Sequence, residues 1–318
     1  MPSLSKIIDV HSHPILGAVD GLPMTEDHKL PDWSVERTLT HMDEYGVSAC
    51  VLSAIVSADN ATGQKARDIA RRTNETLAKI VSTHPSRFGA VATLPALDPD
   101  GALAEISYAL DTLKLDGIAT STSHNETYLG EPQFDPWLEE LNRRSATLFV
   151  HPTTTKAGST LLMGLHDSVV EFMFETTRMV INMVVTGTKK RFSQIKMIST
   201  HGGGTIPYVV SRIQTLEPAF SVGPGRLPLS PEEIREGMAS FYYDLTAATS
   251  EAQLFAMLKL VPASQLLMGL DFPLMPKSSF APAIADVERY AGFSEADLRS
   301  ISYENAFRLF PALAKRIG

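Results

Sequence analysis

Cysteine is nearly absent: Cys50 is the sole one in 318 residues, which excludes an internal disulfide, and its place inside an apolar run predicts a packed core thiol. Positive charge is also in deficit. Lys and Arg number 28 against 36 Asp and Glu, a net charge of -8, so no basic stripe is available for nucleic acid or an anionic membrane. A small molecule is the expected partner. Long apolar runs are missing as well: none reaches the roughly 18 to 20 residues needed to cross a bilayer, and Met1 to Lys6 lacks the charged and apolar blocks of a secretory signal. The expected location is therefore cytoplasmic. No heptad, short repeat or low-complexity tract occurs, and no Gly-rich phosphate loop of Walker or dinucleotide spacing follows the first apolar run.

Core-forming residues are not lacking. Hydrophobic residues make up 44% of the chain and charged ones 20%, ordinary for a soluble globular protein. The length suits one large or two medium domains, and a regular alternation of elements predicts one, residues 1–318. Eight short apolar runs recur at 7–10, 49–55, 89–94, 117–120, 147–150, 195–200, 241–245 and 266–270. Most are too apolar for half-exposed strands. Helical segments are predicted between and after them at 34–45, 59–83, 98–113, 133–144, 166–186, 207–216, 231–239, 250–260 and 294–310. This alternation is the mark of a parallel sheet covered on both faces. Eight strand–helix units predict an α/β fold, a (β/α)8 TIM barrel with short insertions after strands one and six, at 16–32 and 219–230; a doubly wound open sheet is the competitor.

The barrel is preferred because the polar residues of interest all end strands, where such barrels build active sites. Ile7-Ile8-Asp9-Val10-His11-Ser12-His13 reads as a buried strand ending in two imidazoles, and residues i and i+2 of an extended chain face the same side. His151 follows Leu148-Phe149-Val150, His201 follows Ile198-Ser199-Thr200, and Asp271 follows the eighth run. A closed barrel brings these ends to one mouth. Three or four imidazole nitrogens and a carboxylate suit Zn, Mn or Fe better than Ca or Mg, with Zn placed first and Mn second. A catalytic metal keeps one position open, which leaves His11, His13, His151 and Asp271 as ligands and one histidine as acid or base. His201 is assigned that role because Gly202-Gly203-Gly204 follows it, and glycines let a backbone pass close to a ligand. His28, His41, His84, His124 and His166 are expected to be ordinary core or surface residues. Trp33, Phe134 and Trp137 are read as core rather than as the lining of a ring pocket, Phe272 and Leu274 as weak candidates for substrate contact, and Met163, Met173, Met179 and Met183 as fillers of packing gaps.

His-x-His after strand one, His151-Pro152 after strand five, His201-Gly-Gly-Gly after strand six and Gly269-x-Asp271-x-Pro273 after strand eight resemble the amidohydrolase superfamily. The likeness is to its decarboxylase branch, which acts on substrates such as aminocarboxymuconate semialdehyde, γ-resorcylate and 6-methylsalicylate. It covers nearly the whole chain, from Met42-Asp43-x-x-Gly46-Val47 to Asn305-Ala306-x-x-Leu309-Phe310. The resemblance implies metal ligation by His11, His13, His151 and Asp271, and catalysis by His201 with Asp271. It also implies that Arg212 binds the substrate carboxylate by reaching into a neighbouring subunit's site, which requires a homodimer.

Two departures narrow the expectation. No strand-six lysine is present to hold a bridging carbamate, Lys156 being poorly placed, so one metal is expected. The second arginine that the muconate enzyme carries is missing around Asp27 to Asp32, which disfavours a dicarboxylate. The expected activity is non-oxidative decarboxylation of a small, salicylate-like aromatic acid, with the proton delivered to the carboxyl-bearing carbon by Asp271 or by His201. Alternatives on the same fold are a metal-dependent hydrolase or hydratase acting on a lactone, amide or enoate, and a non-catalytic binding barrel.

Overall fold

The structure is a computed structural model describing residues 4, 6–16, 31–54, 61–220, 226 and 228–318. His28 and most of the two expected insertions lie outside the described residues. Eight parallel strands pair in chain order: β1 (Ile7–Ser12), β2 (Val47–Ser53), β3 (Phe88–Thr93), β4 (Gly117–Ser121), β5 (Thr147–His151), β6 (Lys196–Ser199), β7 (Tyr242–Asp244) and β8 (Leu266–Leu267). The ring closes between β8 and β1. Val10 N donates to Met268 O at 3.0 Å, Asp271 N to His11 O at 2.7 Å and His13 N to Phe272 O at 2.8 Å. The expected (β/α)8 barrel is thus observed, and the open sheet is not.

Around it stand α1 (Val35–Tyr45), α2 (Gly63–Thr83), α3 (Pro99–Ser107), α4 (Asp135–Arg143), α5 (Glu171–Val185), α6 (Ile206–Phe220), α7 (Pro231–Ala239), α8 (Glu251–Leu260) and α9 (Lys277–Arg289). Local chemistry sets several ends. Ser34 caps α1 by accepting from Arg37 N, and Gly46 closes it at φ 69°. Ser230 and Glu233 form a capping box on α7.

Two apolar layers result. Strand residues pointing outward pack against helices, while Ile8, Val10, Ala49, Val51, Val91, Phe149, Ile198 and Leu267 fill the barrel and meet Phe310, which joins the C-terminal helices Asn305–Leu309 and Pro311–Ile317, and Leu313 from the second of these. The interior is therefore a packed core, and the mouth is left for chemistry.

Several predicted boundaries move. The helix read at 166–186 begins at Glu171, because 160–170 form a surface loop on which Leu161, Met163, Leu165 and Val169 are exposed. Met163, at 79% exposure, fills no packing gap. The helix read through 113 ends as α3 at Ser107 and continues as one π turn, Tyr108–Thr112. Helix α9, which contains Pro282, and a small hairpin, Ser123–His124 with Thr127–Tyr128, were not anticipated. Phe134 and Trp137 are fully buried in the core, as expected.

Candidate metal centre and active site

Strict alternation along β1 would send Ile8 and Val10 to the barrel axis and His11 away from it. A register shift between Asp9 and Ser12 reverses that parity, as β-bulges do when they re-aim a side chain. His11 and His13 consequently face the axis directly above Phe149, whose ring lies 5.1 Å from that of His11, edge to face. The ends of β5, β6 and β8 bring His151, His201 and Asp271 to the same point. The His11 ring centroid is 4.8 Å from that of His13, 5.3 Å from His151 and 5.0 Å from His201. His11, His13 and Asp271 offer ligand atoms all within 4.8 Å of one another, as do His11, His151 and His201. All five side chains singled out in the sequence therefore meet.

Hydrogen bonds on the far sides of the rings decide what the near sides present. His13 Nδ1 lies 2.8 Å from Ser53 O, and His151 Nδ1 lies 2.8 Å from Pro152 O. A carbonyl only accepts, so both Nδ1 atoms carry the proton and both Nε2 atoms present lone pairs. His11 Nδ1 meets the Asp244 carboxylate at 2.9 Å, with the same result. His11 Nε2 nevertheless lies 2.9 Å from His13 Nε2, and Asp271 Oδ1 lies 3.2 Å from His13 Nε2 and 3.7 Å from His11 Nε2. Asp271 Oδ1 is buried and accepts no hydrogen bond among the described residues. Lone pairs and a carboxylate converging at such distances repel unless a cation lies between them. The donor set and its orientation thus fit a divalent transition metal.

The proton affinities carry the same demand. Burial is the largest influence on Asp271 and acts to raise its pKa, but the surrounding His11, His13 and His201 outweigh it and hold the carboxyl well below the usual range. Burial pushes His13 down, yet its contact with Asp271 prevails and raises it: a proton or a metal ion at Nε2 satisfies the same negative charge. Burial lowers His11, against the pull of Asp244 and Asp271. Burial and the neighbouring imidazoles keep His151 well below the usual histidine range, hence neutral.

His201 differs from the other three. Its Nδ1 is buried without a partner among the described residues, so no acceptor fixes its tautomer. Its Nε2 stands 3.9 Å from Asp271 Oδ2. Its backbone is left-handed, φ 54°, as is that of Asp271 at 59°; such strain in non-glycine residues gathers at functional sites. The three glycines that follow serve packing rather than ligand approach. A Cβ on Gly203 would collide with the Tyr243 ring, one on Gly204 with the Met173 carbonyl, and one on Gly202 would come within 2.8 Å of Ala248.

Some residues at the site were missed in the sequence. Asp9 is buried beneath the cluster, its Oδ1 accepting from His11 N at 2.9 Å and Leu270 N at 3.0 Å, and burial raises its pKa to about 7. Asp244 ends β7 as Asp271 follows β8, a strand-end signal that was legible. Phe172, on the first turn of α5, lies 5.6 Å edge-on from the His151 ring and 6.4 Å from that of His201. Phe272 stacks on His41 at 4.2 Å. Arg212 stands apart, exposed on α6, with no hydrogen bond or ion pair among the described residues.

A barrel whose mouth holds two strand-one histidines, one histidine each from strands five and six and a strand-eight aspartate defines a metal-dependent amidohydrolase site. Residues 8–312 match the family described as amidohydrolase, and the chain belongs to it. The decarboxylase yanB of Aspergillus niger is 32% identical over 325 residues, spanning 96% of this chain and 87% of its own. The 6-methylsalicylic acid decarboxylase acuB of Aspergillus aculeatus is 30% identical over 326 residues, 97% of either chain. In solved structures, 5-carboxyvanillate decarboxylase of Novosphingobium aromaticivorans, complexed with manganese and 4-hydroxy-3-methoxy-5-nitrobenzoic acid, shares the fold at a TM-score of 0.82. Its identity is 19%, over 97% of this chain and 96% of that one.

Proposed function

We propose that this chain, as one domain over residues 1–318, is a non-oxidative decarboxylase of a small, salicylate-like hydroxyaromatic acid, acting in the cytoplasm with one divalent transition metal, Zn or Mn. The observation carrying the reading is the set of three imidazoles whose Nδ1 atoms are committed to acceptors, with the Nε2 atoms of His11 and His13 facing Asp271 and His151 offering a ligand nitrogen beside those of His11 and His201. His11, His13, His151 and Asp271 would hold the ion. When bound, it supplies Lewis acidity and a template for the phenolic and carboxylate oxygens of the substrate.

The chain's own groups manage the proton. Loss of CO2 from an aromatic ring needs a place for the electron pair, and protonation at the carboxyl-bearing carbon provides it; the C–C bond then breaks and aromaticity returns. Asp271 is held as a carboxylate in the resting site, so it donates only after taking up a proton, and His201, 3.9 Å away, is placed to relay that proton to it or to tune it. The ring of the substrate enters from the mouth, on the side of Phe172 and the half-buried His151, since Phe149 closes the floor.

Arg212 is suited to binding the substrate carboxylate in a neighbouring copy's site. Its exposure supports a homodimer, as do the exposed Leu161, Met163, Leu165 and Val169 and the exposed Tyr208 four residues before it on the same helix. A mixture of inactive Arg212→Ala and His201→Asn chains should regain activity if the arginine works across subunits. A hydrolase or hydratase would use the same ligands, but no observation favours it. The deciding experiment is incubation of metal-loaded protein with a panel of hydroxybenzoic acids: CO2 release from ortho-hydroxy members supports the reading, and none from any member contradicts it.

A further inference from the structure

Asp244 has no place in the reaction as described, yet it touches two of its parts. One oxygen, Oδ2, lies 2.9 Å from His11 Nδ1, while Oδ1 accepts from the backbone N of His201 at 2.9 Å and from Thr246 N at 3.1 Å. The side chain is wholly buried. Of the groups that meet the Nδ1 atoms of the metal-facing imidazoles, Ser53 O and Pro152 O are neutral carbonyls that serve one ring each, and the Ser53 hydroxyl, 3.2 Å from His13 Nδ1, and the Thr246 hydroxyl, 3.1 Å from His11 Nδ1, are neutral as well. Asp244 alone is charged, and it alone also grips a second functional residue.

The residues it grips are the consequential ones. His11 sits at the centre of the cluster and belongs to both sets of converging ligand atoms. His201 carries a left-handed backbone at φ 54°, a conformation that persists only where neighbouring groups hold it. The geometry points to Asp244 as a positioning residue: a single carboxylate that sets the His11 tautomer for metal binding and, through the His201 backbone, fixes the acid–base histidine against the same centre. The inference rests on the metal reading above. It adds that ligand and acid–base group are held in register by one shared anion, so that moving either disturbs the other. A carboxylate behind a ligating imidazole also makes its Nε2 a better donor, which distinguishes His11 from His13 and His151.

Asp244→Asn tests this, because asparagine keeps the size but brings an NH2 group. With its carbonyl oxygen retained by the His201 and Thr246 N–H groups, the NH2 faces His11 Nδ1 and forces the ring proton onto Nε2, where a metal would bind. Affinity for Mn or Zn, measured on metal-free protein by competition with a chromogenic chelator, should fall 10- to 100-fold. Circular dichroism should stay at the parental level. Affinity within twofold of the parent in a folded variant overturns the role of Asp244 and leaves the metal reading intact. A parent that binds no metal overturns both.

If the variant does not fold, 15N spectra of histidine-labelled, metal-free parent decide the matter. The His11 proton on Nδ1 supports the inference, and a proton on Nε2 overturns it.

Discussion

Replacing Gly204 by alanine should cost far more than the same change at Gly46, and the difference can be worked from backbone and space alone. Gly46 ends α1 at φ 69° and ψ 24°, a left-handed conformation alanine can enter, and nothing lies within 4 Å of the added Cβ. About 1 to 2 kcal/mol is expected there. Gly204 sits at φ 65° and ψ -120°, outside every region open to an L-residue. Its Cβ would overlap the Met173 carbonyl, a backbone atom of α5 that cannot rotate away, and would come within 2.7 Å of Thr177 Oγ1. Strain of about 1–3 kcal/mol and overpacking of about 1–3 kcal/mol give a loss of roughly 2 to 6 kcal/mol. Relief requires either the turn holding His201 or the first turn of α5, with Phe172, to shift, so activity should fall with stability. Urea melts of both variants measure the first effect and turnover on a competent hydroxybenzoate the second. A Gly204→Ala protein no less stable than Gly46→Ala, with parental turnover, would refute the view that the glycines are required by packing around His201.

Two further outcomes are expected. His201→Asn should retain parental metal content while losing roughly 10²- to 10⁴-fold in turnover; loss of metal by elemental analysis would make His201 a ligand instead. Lys189 is buried, its Nζ 5.4 Å from the Phe241 ring centroid, and burial lowers its pKa from 10.5 to about 8. Between those values the unfolded chain binds more protons than the folded one, so this lysine's penalty on stability is fully present below pH 8 and fades as pH rises. Lys189→Met should therefore stabilise the metal-free protein near pH 7 by at most about 3 kcal/mol, with the gain shrinking toward pH 10.5. A gain in the denaturation midpoint that does not change with pH would contradict the assignment.

The strands and the five side chains that meet at the mouth were legible because each carries a local pattern. Eight apolar runs mark eight buried parallel strands, and a histidine or aspartate closing such a run announces the barrel mouth. What escaped depends on geometry that no spacing records. The inward turn of His11 needs the register shift between Asp9 and Ser12, and nothing in Ile7-Ile8-Asp9-Val10 distinguishes a bulged strand from a regular one. Asp9 reads as a polar residue in apolar surroundings until its partners, His11 N and Leu270 N, are brought close by the barrel, and although Asp244 ends a strand, its hold on His11 Nδ1 and on the His201 backbone exists only once the ring closes. The run at 266–270 pairs with β7 only over Leu266–Leu267; beyond it the chain passes so close to Thr246 that position 269 has no room for a Cβ, and Asp271 turns left-handed. Helix α9 carries a weak signal in the sequence, since Pro282 lies within it and proline usually argues against a helix interior.

A crystal of the protein grown with Mn or Zn and measured across that metal's absorption edge offers the sharpest test. One anomalous peak is expected at the barrel mouth, about 2.0 to 2.2 Å from the Nε2 atoms of His11, His13 and His151 and from an Asp271 oxygen, with His201 outside the coordination sphere. Density elsewhere, or a peak ligated by His201 in place of any of the four, would contradict the division of labour on which the proposed chemistry depends.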